Sequence, residues 1–359
     1  MSTDNVPFTS FPKIEQFRGV VADIKRYFGK DTASAPTIEF TGTVKIHGSN
    51  AGVGWNLESD SPLVPQSRKR LISVGNDNAG FAAFVLNKQA ALKEIMTSIS
   101  KNFPPEEDDG SLFIYGEWCG RGIQANVGIA ELSQRLVIFN AAYRKKTADD
   151  NGDIRKHWLP RDSLNCIKEL GTDADVYNIY DFPYWTKQIA FKQPELGEMQ
   201  NELSALTVEV ERECPIAKHF GVSGIGEGIV WTANFTSPHD GKNHNLRFKV
   251  KGEKHSVTKV KTLAAVDVEK LKTVEDFIAY AAVDNRLEQG FDELFIKSET
   301  APTMKQMGQF IKWIRNDIVK EESDTMEASG IEEKDIGKTI AIVARAWFMK
   351  RLVEYELQV

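Results

Sequence analysis

Apolar positions follow two different periods along this chain. Up to about residue 262 they come in short runs that alternate with polar residues: TIEFTGTVKI (37–46), AGVGWNL (51–57), SLFIYGEW (111–118), RLVIFNAAYRK (135–145), GEGIVWTAN (226–234) and NLRFKVKG (245–252). Val, Ile, Phe, Tyr and Trp fill these runs, and Gly, Asn and Asp separate them, which predicts strands. DDNGD (149–153) reads as a hairpin turn. Three helices are predicted among the strands: IEQFRGVVADIKRYF (14–28), GFAAFVLNKQAALKEIMTSI (80–99) and PELGEMQNELSALTVEVERE (194–213).

Beyond residue 262 the period becomes helical. Met307, Phe310, Ile311, Ile314 and Ile318 form one stripe, and Ile336, Ile340, Val343, Trp347 and Val353 a second. The pattern predicts an α+β chain, with a strand-rich domain over 1–262 and a small all-helical domain over 263–359. Such stripes are the core faces of helices, not cofactor contacts.

Composition narrows the class. The chain has 359 residues, 41% hydrophobic and 27% charged, as expected of a soluble globular protein. No apolar run approaches the roughly 20 residues that span a bilayer, and MSTDNVPFTSFPKIEQF lacks the pattern of a signal peptide. Cys119, Cys166 and Cys214 show no CxxC spacing, so a reducing cytoplasm is expected, with neither a zinc site nor a disulfide framework. The net charge of -6 argues against a uniformly basic nucleic-acid binder but leaves room for a local basic groove. Basic residues do cluster at 241–261, and again at Arg68, Lys69 and Arg70. Alternation in RFKVKG puts Arg247, Lys249 and Lys251 on one strand face, where three like charges repel unless an anion such as a polyphosphate sits among them.

VKIHGSN (44–50) is less easily read. Lys45 ends one strand-like run, and Gly48 offers the freedom of a tight connection to the next. Taken alone, this is a hairpin with a solvated lysine at its tip. GIGEGI (224–229) nearly matches a dinucleotide fingerprint, but Ile229 stands where its last Gly belongs and a strand follows it. GxxxxGK[ST] is absent, so a bound nucleotide would need another scaffold.

Five pieces stand in order: Lys45-Ile-His-Gly-Ser-Asn50, Ser67-Arg68, Tyr115-Gly-Glu117-Trp118, Glu227-Gly-Ile-Val-Trp231 and Phe248-Lys249-Val-Lys251. Together they resemble the motifs of the covalent nucleotidyltransferases. The KxHGxN form, with GEW and EGIVW, is most similar to the RNA ligase 2 family of phage nick-sealing and RNA-editing ligases, over about Phe11 to Ser256. DNA ligases and capping enzymes usually show KxDG, and His47 occupies that Asp position here.

The resemblance implies an antiparallel-sheet adenylyltransferase domain (the ATP-grasp-like nucleotidyltransferase ligase fold) followed by a helical domain. It implies an enzyme of RNA repair that uses ATP with Mg²⁺, or Mn²⁺ in its place. Lys45 would take AMP and pass it to an RNA 5′-phosphate, which a 3′-OH then attacks. Lysine is a nucleophile only when neutral, and its ordinary pKa of about 10.4 leaves little neutral amine near pH 7; Lys249, Lys251 and the metal would favour that form. Glu227 is the implied metal ligand. Glu117 and Arg68 match the ribose contacts, Arg68 being preferred to Arg70 because Ser-Arg fits the motif. Phe139 matches the aromatic on adenine, and the run Val137, Ile138, Phe139 leaves that register open. Val44, His47 and Asn50 would line the nucleotide beside Lys45.

The implied partner is RNA, as a nicked duplex gripped by the helical domain. Lys305, Lys312 and Arg315 of one helix could meet its phosphates, although for each residue a plain solvated face is the favoured reading. The protein is expected to be a monomer without membrane association, in the host cytoplasm if phage-encoded. Two alternatives differ in what they require. A DNA ligase or guanylyltransferase would continue into strands of an OB-fold after residue 262. A non-catalytic binding module would be expected to have lost Lys45, Glu227 or a motif lysine.

Overall fold

The computed structural model describes residues 6–28, 37–59, 61–105, 108–148, 154–191, 195–236, 241, 243–252, 273–296, 298 and 300–356. In chain order its elements are β1 (Glu15–Gln16), α1 (Phe17–Phe28), β2 (Thr37–Lys45), β3 (Ser49–Asn56), β4 (Val64–Ser67), α2 (Phe81–Asn87), α3 (Gln89–Asn102), β5 (Asp108–Cys119), β6 (Arg135–Ala148), β7 (Ile154–Trp158), α4 (Ile167–Leu170), β8 (Val176–Asn178), β9 (Tyr184–Ala190), α5 (Glu195–Arg212), α6 (Pro215–His219), β10 (Gly228–Thr236) and β11 (Asn243–Lys251). Helices α7 (Val274–Ala281), α8 (Asp284–Phe291), α9 (Met307–Glu321), α10 (Ser323–Ser329) and α11 (Glu333–Glu356) follow. The architecture is α+β, as the two periods predict. The expected boundary at 262 and the expected turn at 149–153 lie outside the described residues, although β6 and β7, on either side of that turn, do pair antiparallel.

The chain forms two compact units of three segments each. The first comprises Met1–Ile14, Phe40–Lys187 and Glu209–Trp231; the second comprises Glu15–Glu39, Gln188–Val208 and Thr232–Val359. One sheet has the order β1-β11-β10-β2-β9, and the other the order β4-β3-β5-β6-β7, with β8 also paired to β6.

In the first unit, β3, β4, β5, β6 and β7 pair antiparallel. One sheet face carries Val53, Leu112, Ile114, Leu136 and Ile138 into a core with Leu92, Ile95, Met96 and Ile99 of α3. These four helical positions fall at i, i+3, i+4 and i+7, and each such buried side chain contributes about 1.5–3 kcal/mol. The single helix predicted over 80–99 is two, because the chain breaks step at Lys88. The opposite sheet face carries Phe113, Tyr115 and Ala142, packed with Val6 and Phe11. Tyr115 donates from its hydroxyl to Thr9 O at 2.9 Å, and Gln66 brackets the same residue with bonds to Thr9 N and O.

The second unit holds the helical core. Phe310, Ile314 and Ile318 of α9 and Ile336, Ile340, Ala344, Phe348 and Leu352 of α11 supply it. The expected α11 stripe is corrected at its end. The four-residue steps continue from Ile340 through Ala344, so Val353 is 57% exposed. Lys305 also differs, since it lies in a 3-10 turn before α9 and not in the helix itself. Among the described residues no helix is long and apolar enough to cross a membrane.

Candidate active site

The VKIHGSN segment is not a hairpin. Lys45 is the last residue of β2, Ser49 is the first of β3, and these strands belong to different sheets. Period-two alternation reports that two strands are consecutive, not that they pair. Gly48 is required by a close approach, not by turn geometry. A Cβ there would lie 2.4 Å from the carbonyl oxygen of Trp118 and 2.9 Å from Cγ of Glu117. The connection is therefore pressed against β5.

Two side chains hold it there. Gln124 donates to Gly48 O at 3.0 Å, and Asn78 donates to Ser49 Oγ at 2.6 Å. Asn78 sits in the loop that ends at α2. Its neighbour Asp77 accepts from the backbone N–H groups of Ala82 and Ala83, and Trp118 Nε1 donates to Ala79 O. Gln124 and Asn78 were not foreseen. Both are polar residues in irregular segments, where no period or motif marks them.

Lys45 Nζ donates to Glu227 Oε2 at 2.7 Å, and His47 Nδ1 lies 3.3 Å from the same oxygen. Glu227 is only 2% exposed, so this carboxylate is matched by charge and hydrogen bonds inside the protein. The residue after it, Gly228, has φ +152°, a backbone state that side-chain-bearing residues rarely adopt, and it starts β10. Lys45 and His47 thus meet an oxygen of a residue 182 and 180 positions further along the chain.

A row of polar groups crosses the neighbouring sheet. Asn50 on β3 stands directly opposite Glu117 on β5, so the two share a face. On the other side of β3, Ala51 pairs with Ser67, which brings Arg68 to the next position along. Burial is the strongest influence on Glu117 and pushes its carboxyl from 4.5 up to about 7. The charge of Glu227 acts in the same direction, whereas Lys45, Arg68 and the Gly48 N–H oppose it. That set is the electrostatic signature of one site: two carboxylates and two cations that feel one another.

Phe139 has a structural peculiarity. Tyr115 pairs with Asn140 and Gly116 with Ile138, so Phe139 is the extra residue of a β-bulge. Before the bulge Leu136 and Ile138 face the main core; after it Ala141 and Tyr143 do. The bulge turns partly buried Phe139 to the opposite face, edge-on to Phe11 with ring centroids 5.0 Å apart. Val44, by contrast, is buried at 3% exposure.

Lys249 and Lys251 lie on β11 in the second unit. The expected alternation holds there, with Phe248 and Val250 buried and both lysines partly exposed; Arg247, however, is buried as well. Lys249 Nζ donates to Glu321 Oε2 at 2.9 Å. Of the cations expected on duplex RNA, Arg315 is paired with Glu333 at 3.1 Å.

A family model described as RNA ligase matches residues 38–251, more than half of the chain. The chain belongs to the RNA ligase family. No curated protein matches it significantly. Similar solved structures include those of the Naegleria gruberi RNA ligase. One is a mutant with AMP and Mn, at 18% identity and TM-score 0.39, covering 68% of this chain and 56% of that one. Another is the ligase with PPi, at 18% identity and TM-score 0.39, covering 70% and 60%. A third is a mutant with ATP and Mn, at 17% identity and TM-score 0.38, covering 68% and 56%. The match thus spans less than two thirds of the Naegleria chains. In this RNA ligase family member the matched span takes in Lys45, Glu117, Glu227, Lys249 and Lys251, from the end of β2 to the end of β11.

Proposed function

We propose that this protein is an ATP-dependent RNA ligase that joins a 3′-OH end to a 5′-phosphate end through a lysyl-AMP intermediate. The observation that carries the reading is the Lys45–Glu227–His47 cluster, within a chain of the RNA ligase family. Lys45 is the one amine of that cluster, held at a strand end and still 19% exposed.

In the first step Lys45 Nζ, having lost a proton, forms a P–N bond with the α-phosphorus of ATP. The bond to the β-phosphate oxygen breaks, and pyrophosphate leaves. An oxygen of the RNA 5′-phosphate then attacks the AMP phosphorus and breaks the P–N bond, giving an adenylated RNA end. The 3′-OH of the second strand attacks that end and expels AMP. Lys249 and Lys251 would contact the triphosphate and offset charge as it develops. Glu117 and Arg68 would hold the ribose, Phe139 the adenine, and Asn50 the sugar-phosphate region beside them. Val44, whose side chain is buried, would offer only its main chain.

A divalent cation suits this donor set. Mg²⁺ keeps several waters and needs few protein oxygens, and Glu227 supplies a buried carboxylate oxygen that accepts from Lys45 and lies 3.3 Å from His47 Nδ1. The ion would supply positive charge at the α-phosphate when bound. Glu227 would hold the ion, and the oxygen that would do so is the one that accepts from Lys45.

RNA joined at nicks in a duplex is the substrate we favour. The helical run from α7 to α11 supports RNA over a DNA-ligase reading, which expects strands after the last motif. The test is a covalent-adduct assay with α-labelled ATP and Mg²⁺ on a denaturing gel. Wild type should carry label. Lys45→Arg, which keeps a cation opposite Glu227 but no nucleophilic amine, should carry none. Absence of label on the wild type, after a pyrophosphate chase to strip pre-bound AMP and a trial with GTP, would overturn the reading.

A further inference from the structure

Helix α9 ends on Glu321 and is capped by Glu322, although carboxylates are disfavoured where the helix dipole is already negative. Both are held by cations. Glu322 is wholly buried, and its carboxylate accepts from Arg286 at 3.0 Å, Arg18 at 3.0 Å and the Tyr280 hydroxyl at 3.2 Å. This anchor fixes the backbone of the neighbouring residue. Gln16, whose register partner across β1 and β11 is Lys249, adds a bond to Glu321 O at 3.5 Å. Glu321 is thereby fixed with its carboxylate 2.9 Å from Lys249, both side chains below one-fifth exposed. One turn earlier, Asp317 lies within electrostatic reach of Lys251 and 3.0 Å from Arg286 Nε. Burial opposes ionisation of Glu321, but Lys249 and Lys320 outweigh it and hold its carboxyl well below the ordinary carboxylate range. The anion expected from the like charges of β11 is thus provided by the protein itself.

We propose that Glu321 is a competing ligand for Lys249, which yields the lysine to the triphosphate of ATP and recaptures it as pyrophosphate departs. This rests on the reading of Lys249 as a triphosphate contact. A ligase must bind a polyphosphate and then release pyrophosphate from the same cations. A carboxylate of fixed position weakens both polyanions equally and keeps the second from lingering. Removing it leaves one more uncompensated positive charge beside the phosphates.

The experiment measures adduct formation against ATP concentration, with and without pyrophosphate, for wild type, Glu321→Gln, Glu321→Asp and Lys249→Ala. Glu321→Gln should lower both the KM for ATP and the inhibition constant of pyrophosphate, by roughly three- to tenfold, with the saturating rate retained. Glu321→Asp, which keeps the charge, should stay near wild type. A merely structural role would lower stability or rate and would not tighten either ligand. Unchanged or weaker ATP and pyrophosphate binding in Glu321→Gln overturns the proposal. If Lys249→Ala leaves ATP affinity intact, the assignment of Lys249 itself is wrong. If it weakens ATP while Glu321→Gln does not tighten it, only the competition falls.

Discussion

Glu117→Gln offers the most direct check on the electrostatics of the site. The substitution keeps the shape of the side chain and removes its charge. In the folded protein the Glu117 carboxyl titrates at about 7, against 4.5 without the protein around it. Between those two values the folded state binds more protons than the unfolded state. Stability therefore falls as pH rises through this window, and the contribution is lost once pH exceeds the folded value. At about 1.4 kcal/mol per tenfold in proton affinity, the displacement is worth at most about 3 kcal/mol. The glutamine variant has no proton to release there. Relative to wild type it should gain up to about 3 kcal/mol between pH 4 and pH 8.5. Chemical denaturation at a series of pH values reads this directly. Parallel stability curves for the two proteins would refute the argument, because they would mean that Glu117 ionises in the folded protein as it does in water. The functional counterpart runs the other way. If the ionised carboxylate accepts from a ribose hydroxyl, ATP affinity of the wild type should rise as pH passes about 7, and the variant should lack that rise.

Two further outcomes follow from packing. Gly48→Ala must move either the Trp118 carbonyl or the connection that carries Lys45, because the added Cβ would lie 2.4 Å from that oxygen. We expect a loss of about 1–3 kcal/mol and at least about a tenfold slower adduct formation, seen by thermal melting and the gel assay; a wild-type melting temperature and rate would contradict the close approach. Arg286→Ala removes a wholly buried cation and leaves Glu322 and Asp317 without it, which should cost about 3–5 kcal/mol in denaturant unfolding. A loss under about 1 kcal/mol would mean that the carboxylates find other partners or protonate at little cost.

The strands and their chemistry were legible in the sequence to different depths. Each of the six alternating runs is a strand, because inward Ile, Phe and Val on a pleated surface leave a period that needs no tertiary knowledge. Pairing left no such trace. The connection from Lys45 to Ser49 reads as a hairpin because proximity in sequence is all that a short Gly-containing link reports; that β2 and β3 enter different sheets depends on partners far along the chain. The bulge at Phe139 is similarly silent. Alternation counted straight through RLVIFNAAY assigns its residues to the wrong faces on one side of the bulge, because one extra residue reverses the parity.

The candidate site residues could be named from the sequence because each travels with its own short window: KxHG, GEW, EG, KxK. What tunes them does not. Asn78 and Gln124 meet the connection between Lys45 and Ser49 as single polar side chains in irregular backbone, and Glu321 meets Lys249 across 72 residues. The like-charge face of β11 did predict that an anion belongs there, from repulsion alone. It could not say whether the anion is a ligand or the protein. The structure supplies a carboxylate at Lys249, and if that lysine contacts a triphosphate, the two anions are alternatives, not additions. A carboxylate fixed beside such a lysine would weaken substrate and product alike, exchanging some affinity for ATP for the release of pyrophosphate.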